Sequence, residues 1–239
     1  MIVLPPVIGH RGAAGLAPEN TLASFRRAAS LGAAMVEFDV RLSADEVPVV
    51  FHDDTLERTT DGSGPVAALT LTQLKALDAG TWFAPGFAGE AIPTLDEVLR
   101  LCLTLGLMVN LEIKPDRGRE ARTAALALAC AQAIWPAGNP APLVSSFCPA
   151  CLEVARDAAP SWPRGLLVEA PPGDWRQQTA RLDCAAIHAD HRVLTGRVVA
   201  DIRAAGLAVL AYTVNDHDEG ERLRRLGVAS VFSDFPHSS

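Results

Sequence analysis

Lysine is almost missing from this chain. Of its 21 basic residues only Lys75 and Lys114 are lysines, which leaves nineteen arginines. Lys114 lies inside an apolar, strand-like run, where a compact point charge is the reason to depart from arginine. An excess of positive charge is also missing. The formal net charge of −7 argues against nucleic acid or an anionic membrane surface as the main partner, but not against a small anion held in a local cationic pocket. No apolar run approaches the roughly 20 residues that cross a bilayer, so no integral membrane segment is expected. The opening Met1-Ile-Val-Leu-Pro-Pro-Val-Ile8 has no basic n-region and is interrupted by Pro5 and Pro6, so it is not expected to act as a signal peptide. The five cysteines are odd in number and mostly in apolar surroundings, which reads as reduced thiols and a cytoplasmic location. Gly12-Ala-Ala-Gly15 is too short a glycine pattern for a nucleotide loop.

What is present is a chain of 239 residues, 49% apolar, enough for one continuous core. Strand-like runs fall near Val7–His10, Met35–Val40, Met108–Ile113, Leu143–Ser146, Gly165–Glu169, Ala185–Ala189, Ala208–Thr213 and Ser230–Ser233. Helical patterns lie between them at Thr21–Leu31, Thr94–Leu105, Arg119–Ile134, Pro149–Ala158, Trp175–Leu182, Gly196–Ala205 and Asp218–Leu226. This alternation predicts an α/β fold, a single (β/α)₈ TIM-type barrel over residues 1–239.

One segment breaks the alternation. Pro48-Val-Val-Phe-His52 reads as a strand, yet too few residues precede it for a parallel crossover. It is predicted to return antiparallel, turning around Ser43–Glu46 and pairing Leu42 with Val47. That register sets Asp39 near Val50 and Glu37 near His52. The stretch from about 53 to 93 is then an insert over the barrel mouth, with one short helix near Thr72–Asp78 and Trp82, Phe83 and Phe87 as apolar anchors.

Side chains two apart on a strand share a face. Glu37 and Asp39 point one way, with Arg41 beyond them, while Val36, Phe38 and Val40 point the other. Glu112 and Lys114 share a face with Asn110, opposite Leu111 and Ile113. The apolar sets suit the helices, so the charged sets face the interior at the C-terminal ends of the strands, where such barrels keep their chemistry. Three carboxylates converging there would take up protons unless a cation held them. An all-oxygen set suits Mg²⁺ or Ca²⁺, with Mn²⁺ as a further candidate; the other reading is a solvated ion-pair cluster at a strand rim. His10 and His52, both placed at this mouth, suit proton transfer near neutral pH. Arg11 and Lys114 can neutralise an anion such as phosphate. Glu169, His188, Asp190 and His191 decorate later strand ends; they could line the pocket, but read by default as polar residues at loop entries. Asp216–Arg225 reads as a solvated helix face.

Together, His10-Arg-Gly with Pro18-Glu-Asn-Thr21, Glu37-Phe-Asp-Val40, His52-Asp53, Asn110-Leu-Glu-Ile-Lys114, Ser145-Ser-Phe147, Tyr212-Thr-Val-Asn215 and Ser233-Asp-Phe-Pro236 resemble the glycerophosphodiester phosphodiesterases. The resemblance runs from about residue 7 to 236 and includes Gly80-Thr-Trp82 and Ile92-Pro-Thr-Leu95. It implies a phospholipase-C-like barrel, one divalent cation, and hydrolysis of small-molecule glycerophosphodiesters, such as glycerophosphocholine or glycerophosphoethanolamine, to glycerol 3-phosphate and an alcohol. By position, His10 and His52 match the catalytic histidines. Glu37, Asp39 and Glu112 match the metal ligands, and Arg11 and Lys114 the cations facing phosphate. Phe147, Tyr212 and Trp82 are expected to complete the substrate pocket, with Tyr212 standing where the family often has Trp. Cys148-Pro-Ala-Cys151 departs from the ordinary polar pattern after Ser-Ser-Phe, but lacks the context of a redox site. Rival readings are a lysophospholipase D acting on longer lipids, which an open apolar insert would favour, and a non-catalytic barrel that binds glycerol phosphates.

Overall fold

The computed structural model describes residues 2–236. Eight parallel strands, β1 (Val7–Gly9), β2 (Met35–Leu42), β4 (Met108–Ile113), β5 (Leu143–Ser146), β6 (Arg164–Val168), β7 (Ala186–Asp190), β8 (Ala208–Tyr212) and β9 (Ser230–Ser233), pair in that order. Closure comes from β1 against both β9 and β2, through Gly9 opposite Val36 and Val7 opposite Val231. A ninth strand, β3 (Pro48–Val50), runs antiparallel beside β2. The (β/α)₈ expectation holds, and most strand ends coincide with the sequence reading; the others differ by one residue, except β2, which runs two residues further, to Leu42.

Alternation sorts each strand into two faces. Val36, Phe38, Val40, Val109, Leu111, Ile113 and Val144 face outward into one buried cluster with Phe25, Leu95, Leu99 and Leu128. These last four ride on α1 (Leu22–Ser30), α3 (Leu95–Leu105) and α4 (Glu120–Ile134). Phe25 meets Phe38 edge to face at 5.8 Å, and each such fully buried side chain contributes about 1.5–3 kcal/mol. Inside the barrel, Ile8, Met35, Leu143, Ala186, Leu210 and Phe232 form an apolar plug.

Helix boundaries follow capping chemistry. Thr94 and Glu97 form a reciprocal capping box at the start of α3, and Gly106 ends it in the left-handed conformation. The insert helix α2 spans Leu71–Lys75, capped by Thr70 and Gln73, slightly earlier than the sequence suggested. The remaining helices, α5 (Pro149–Ala158), α6 (Trp175–Arg181), α7 (Gly196–Ala204) and α8 (His217–Leu226), cover the later strands. None of the described helices is long and apolar enough to cross a membrane.

The hairpin is real but its register is shifted by one. Leu42 pairs with Pro48 and Val40 with Val50, not Leu42 with Val47. The turn holds three residues, Ala44–Glu46, closed by the Ser43 amide donating to Val47 O at 3.0 Å, and Glu46 takes a left-handed φ of 62°. Three-residue hairpin loops commonly end in such a residue. The shift places Val50 on the helix side with Val40, so Asp39 no longer faces it. Instead the Phe51 amide donates to Asp39 O. His52 therefore enters the site from just beyond the strand end.

Candidate active site

A cavity of about 180 Å³ opens at the C-terminal ends of the strands. His10, Arg11, Glu37, Asp39, His52, Asn110, Glu112, Lys114, Ser145, Phe147, Leu167, His188, Tyr212, Thr213 and Phe232 line it. A larger cavity, about 460 Å³, lies between α8, β9 and the Pro6–Val7 segment. It gathers none of the acids and histidines singled out by the sequence, so chemistry and not size identifies the site.

Glu37 and Asp39 come from β2, and Glu112, opposite Asp39, from β4. One carboxylate oxygen from each lies within 4.8 Å of the others, and all three residues are buried. Burial, and then the charges of Asp39 and Glu112, push the Glu37 carboxyl well above its usual range. Burial and Asp39 push Glu112 up to about 7. Burial alone would raise Asp39 as well, but Arg11, His52 and Lys114 outweigh it and hold Asp39 at about 2. Two acids that resist ionisation beside one that is fully charged form a cluster short of positive charge. A divalent ion would supply it, and the oxygen-only donor set fits Mg²⁺, Ca²⁺ or Mn²⁺.

The loop after β1 builds the rim. Arg11 has a left-handed φ of 48°, a conformation that non-glycine residues seldom adopt. It turns the Arg11 amide onto Glu37 Oε2 at 2.9 Å. Gly12 follows at φ 89°, where a Cβ would lie 2.5 Å from Ser24 Oγ, so only glycine fits there. The Arg11 guanidinium donates to Glu19 at 2.6 Å and stands 3.4 Å from Asp39. Asn20 donates to Asp39 at 2.9 Å.

The two histidines are each held by a carboxylate. His10 Nδ1 lies 2.7 Å from Asp234 Oδ1, and Asn215 donates to the other Asp234 oxygen. His52 Nδ1 lies 2.5 Å from Asp53 Oδ1, and His52 Nε2 is 3.1 Å from Lys114 Nζ. Burial lowers the His52 pKa. Lys114, just past the end of β4, also stands 3.6 Å from Glu112 and 3.8 Å from Asp39, so this lysine bridges imidazole and acids. Arg41, buried on β2, donates to His52 O at 2.9 Å and pairs with Asp54 and Asp116, which fixes the hairpin return.

Most sequence-singled residues thus converge, and Phe147 meets Tyr212 edge to face at 6.0 Å on the cavity wall. Trp82 does not join them. Its indole donates to Ala79 O and its ring packs on Phe83, and no residue of the insert lines the cavity. The insert reaches the site another way: Arg58 donates to both oxygens of Asp53 and of Glu19. Arg58, Glu19 and Asp234 escaped the sequence reading as functional residues because such pairings join distant segments. The motif residues around them, Pro18-Glu-Asn and Ser233-Asp-Phe, were the available signal. His188 is fully buried in the barrel, not at a loop entry, whereas Asp190 and His191 pair outside it with Arg192 and Glu219. Cys148 and Cys151 are both free thiols, and burial pushes Cys151 up, away from reactivity.

The Glycerophosphoryl diester phosphodiesterase family matches residues 10–238. A glycerophosphodiester phosphodiesterase of Caldanaerobacter subterraneus is 34% identical, over 97% of this chain and 95% of its own length. One from Bacillus subtilis is 32% identical, over 96% of this chain and 83% of its own. Among solved structures, an Oleispira antarctica phosphodiesterase in complex with the product sn-glycerol-3-phosphate superposes with a TM-score of 0.95 at 43% identity, covering 98% of this chain and 94% of that one. Agreement over nearly the whole length, in sequence and in fold alike, leaves one conclusion: this chain belongs to the glycerophosphoryl diester phosphodiesterase family.

Proposed function

We propose that the chain hydrolyses small glycerophosphodiesters, such as glycerophosphocholine and glycerophosphoethanolamine, to glycerol 3-phosphate and an alcohol, using one divalent cation and two histidines. The observation that carries this reading is the buried carboxylate triad, Glu37, Asp39 and Glu112, with its oxygens within 4.8 Å of one another and both imidazoles on the same cavity. A cation held by the triad supplies Lewis-acid polarisation of the phosphate. The rest falls to the chain's own groups. Arg11 and Lys114 face the cavity and meet the charge that grows on the phosphoryl oxygens. His10 and His52, each bound through Nδ1 to a carboxylate, work through Nε2, which on His52 lies beside Lys114 Nζ; one removes a proton from the nucleophile and the other delivers one to the leaving alcohol. The absence of the insert's aromatic residues from the cavity lining favours small headgroups over long lipids.

Release of glycerol 3-phosphate from either substrate, with and without chelation and dialysis, tests the proposal. Activity is expected to vanish on chelation and to return with Mg²⁺ or Ca²⁺, and Glu37→Gln is expected to abolish that return. A rate untouched by chelation would sink the metal assignment.

A further inference from the structure

Each imidazole of the site is bound to a carboxylate, and each carboxylate needs a second hold if it is not to swing. For His10 the barrel frame supplies that hold. Asp234 lies just past β9, and Asn215, beyond the end of β8, donates to its other oxygen at 2.6 Å. For His52 the hold comes from outside the frame, from Arg58 of the insert. Its Nε donates to Asp53 Oδ2 at 2.5 Å and its Nη2 to Oδ1 at 3.0 Å. The same guanidinium donates through Nη1 and Nη2 to the two oxygens of Glu19, at 2.8 and 2.7 Å. Glu19 Oε1 accepts from Arg11 as well, at 2.6 Å. One planar fork thus grips two carboxylates, the first tied to an imidazole and the second to the cation beside the acids. Bidentate pairs of this kind fix orientation as well as charge. The turn that carries Arg58 is itself pinned: Leu56 is fully buried, its amide donates to Gly64 O, and its carbonyl accepts from the Thr60 amide and hydroxyl.

We propose that Arg58 is a positioning residue for the reaction: by holding both oxygens of Asp53 it locks the His52 ring with Nε2 toward Lys114, and by holding Glu19 it ties the hairpin side of the site to the Arg11 side. The inference rests on the phosphodiesterase reading above and deepens it. An imidazole bonded only through Nδ1 still swings when its carboxylate rotates. With Arg58 on both oxygens, any rotation of the Asp53 carboxylate breaks at least one bond, so the ring keeps one orientation. A reacting group misplaced by about 1 Å can lose about a hundredfold in rate. Stability is a different matter. The Arg58 side chain is 45% exposed, and ion pairs at such positions add little to a fold. Loss of Arg58 therefore reduces rate far more than stability, and the reduction passes through His52. A lysine would not replace it, because a point charge has no fork. The insert reaches the chemistry through this one cation and not through its aromatic residues, which stand off the cavity.

The test is a double-mutant cycle on the full chain with Mg²⁺ present, read as release of glycerol 3-phosphate from glycerophosphocholine. Arg58→Met keeps the stem and removes every donor, and is expected to lower kcat by about 10- to 100-fold. KM is expected to change by less than about threefold, since a proton-transfer group acts on the step more than on binding. In a His52→Ala background the same substitution is expected to change kcat by less than about threefold, because effects that pass through one group do not add. If His52→Ala turns over too slowly to measure, Asp53→Asn serves as the second background. Arg58→Lys, which keeps the charge without the fork, is expected to remain at least about fivefold below the unaltered kcat, and it carries the cycle if Arg58→Met does not fold. Equal factors in both backgrounds overturn the proposal and leave Arg58 a staple of the insert. Full activity in Arg58→Lys overturns it too, leaving charge alone. So does a kcat within twofold of the original in Arg58→Met. If the unaltered protein cleaves no diester, the phosphodiesterase reading falls and this one with it. If diesters are cleaved and the two factors match, the Arg58 assignment alone has failed.

Discussion

The mouth and the base of the barrel interior are built from the same strands and do opposite work. Ile8, Met35, Leu143, Ala186 and Leu210 belong to the apolar plug. Two residues further along the same strands stand His10, Glu37, Ser145, His188 and Tyr212, all on the cavity. One pleat repeat, about 7 Å of rise, separates a dry core from a cup of charge. The comparison teaches that a barrel strand does not compromise between folding and chemistry. It performs both, in successive inward positions, and the plug gives the acids a rigid seat from which they cannot relax apart.

The sharpest way to break that contrast is at the mouth. His52→Ala is expected to lower kcat by about 10²–10⁴-fold with the unfolding temperature little changed, as steady-state kinetics and calorimetry would show. Equal damage to rate and stability would mean that mouth and base are one structural unit. At the base, Leu210→Ala is expected to cost about 2–5 kcal/mol of stability, measured by denaturant titration, while the folded fraction keeps its kcat. A large drop in kcat per folded molecule would contradict the separation.

A third test uses pH. In the cation-free protein Glu37 and Glu112 bind protons more tightly when folded than when unfolded. Between about 4.5, the ordinary value, and about 7 for Glu112, the folded state therefore holds more protons, and its stability declines as pH rises through this window. His52, lowered by burial, opposes the trend by a single proton. The net loss is expected to be on the order of 1–3 kcal/mol, and saturating Mg²⁺ should flatten it. Melting curves at pH 5 and 7.5, with and without the ion, check the sign. An unchanged slope would remove the ion from the triad. The smallest effect belongs to the insert: Trp82→Ala, off the cavity, should change kcat/KM by less than about threefold, and a larger loss would return Trp82 to the substrate pocket.

Much of this was legible in the sequence because its period is physical. Glu37 and Asp39 alternate with Val36, Phe38 and Val40, so the strand has to turn one set toward helices and the other inward. The need for a crossover between parallel strands forces His52 into a hairpin on sequence grounds alone. The register of that hairpin was misread by one, because the left-handed conformation of Glu46 is not announced by a glycine or asparagine. Trp82 was misplaced for a related reason: a long loop states that it covers something, not which side chains turn inward. For His188 the sequence leaves open a pocket-lining place, which the cavity bears out, but favours a loop entry, because a polar residue in an apolar strand has no period of its own. Only the neighbouring Gly165, whose missing side chain admits the ring, explains it, and that complement lies on another strand.

The three-residue turn at Ala44–Glu46 has a further consequence for how this protein can vary. Identity there is partly free: Glu46→Gly would relieve the backbone at the loss of an exposed pair with Arg122, while Asp45 accepts from Ser43 and from the Leu71 amide. Length is not. Adding one residue to the loop would rotate the whole returning segment by half a pleat, send Val50 inward and carry His52 away from Lys114, so that evolution in this corner is permitted to respell the bend but forbidden to lengthen it.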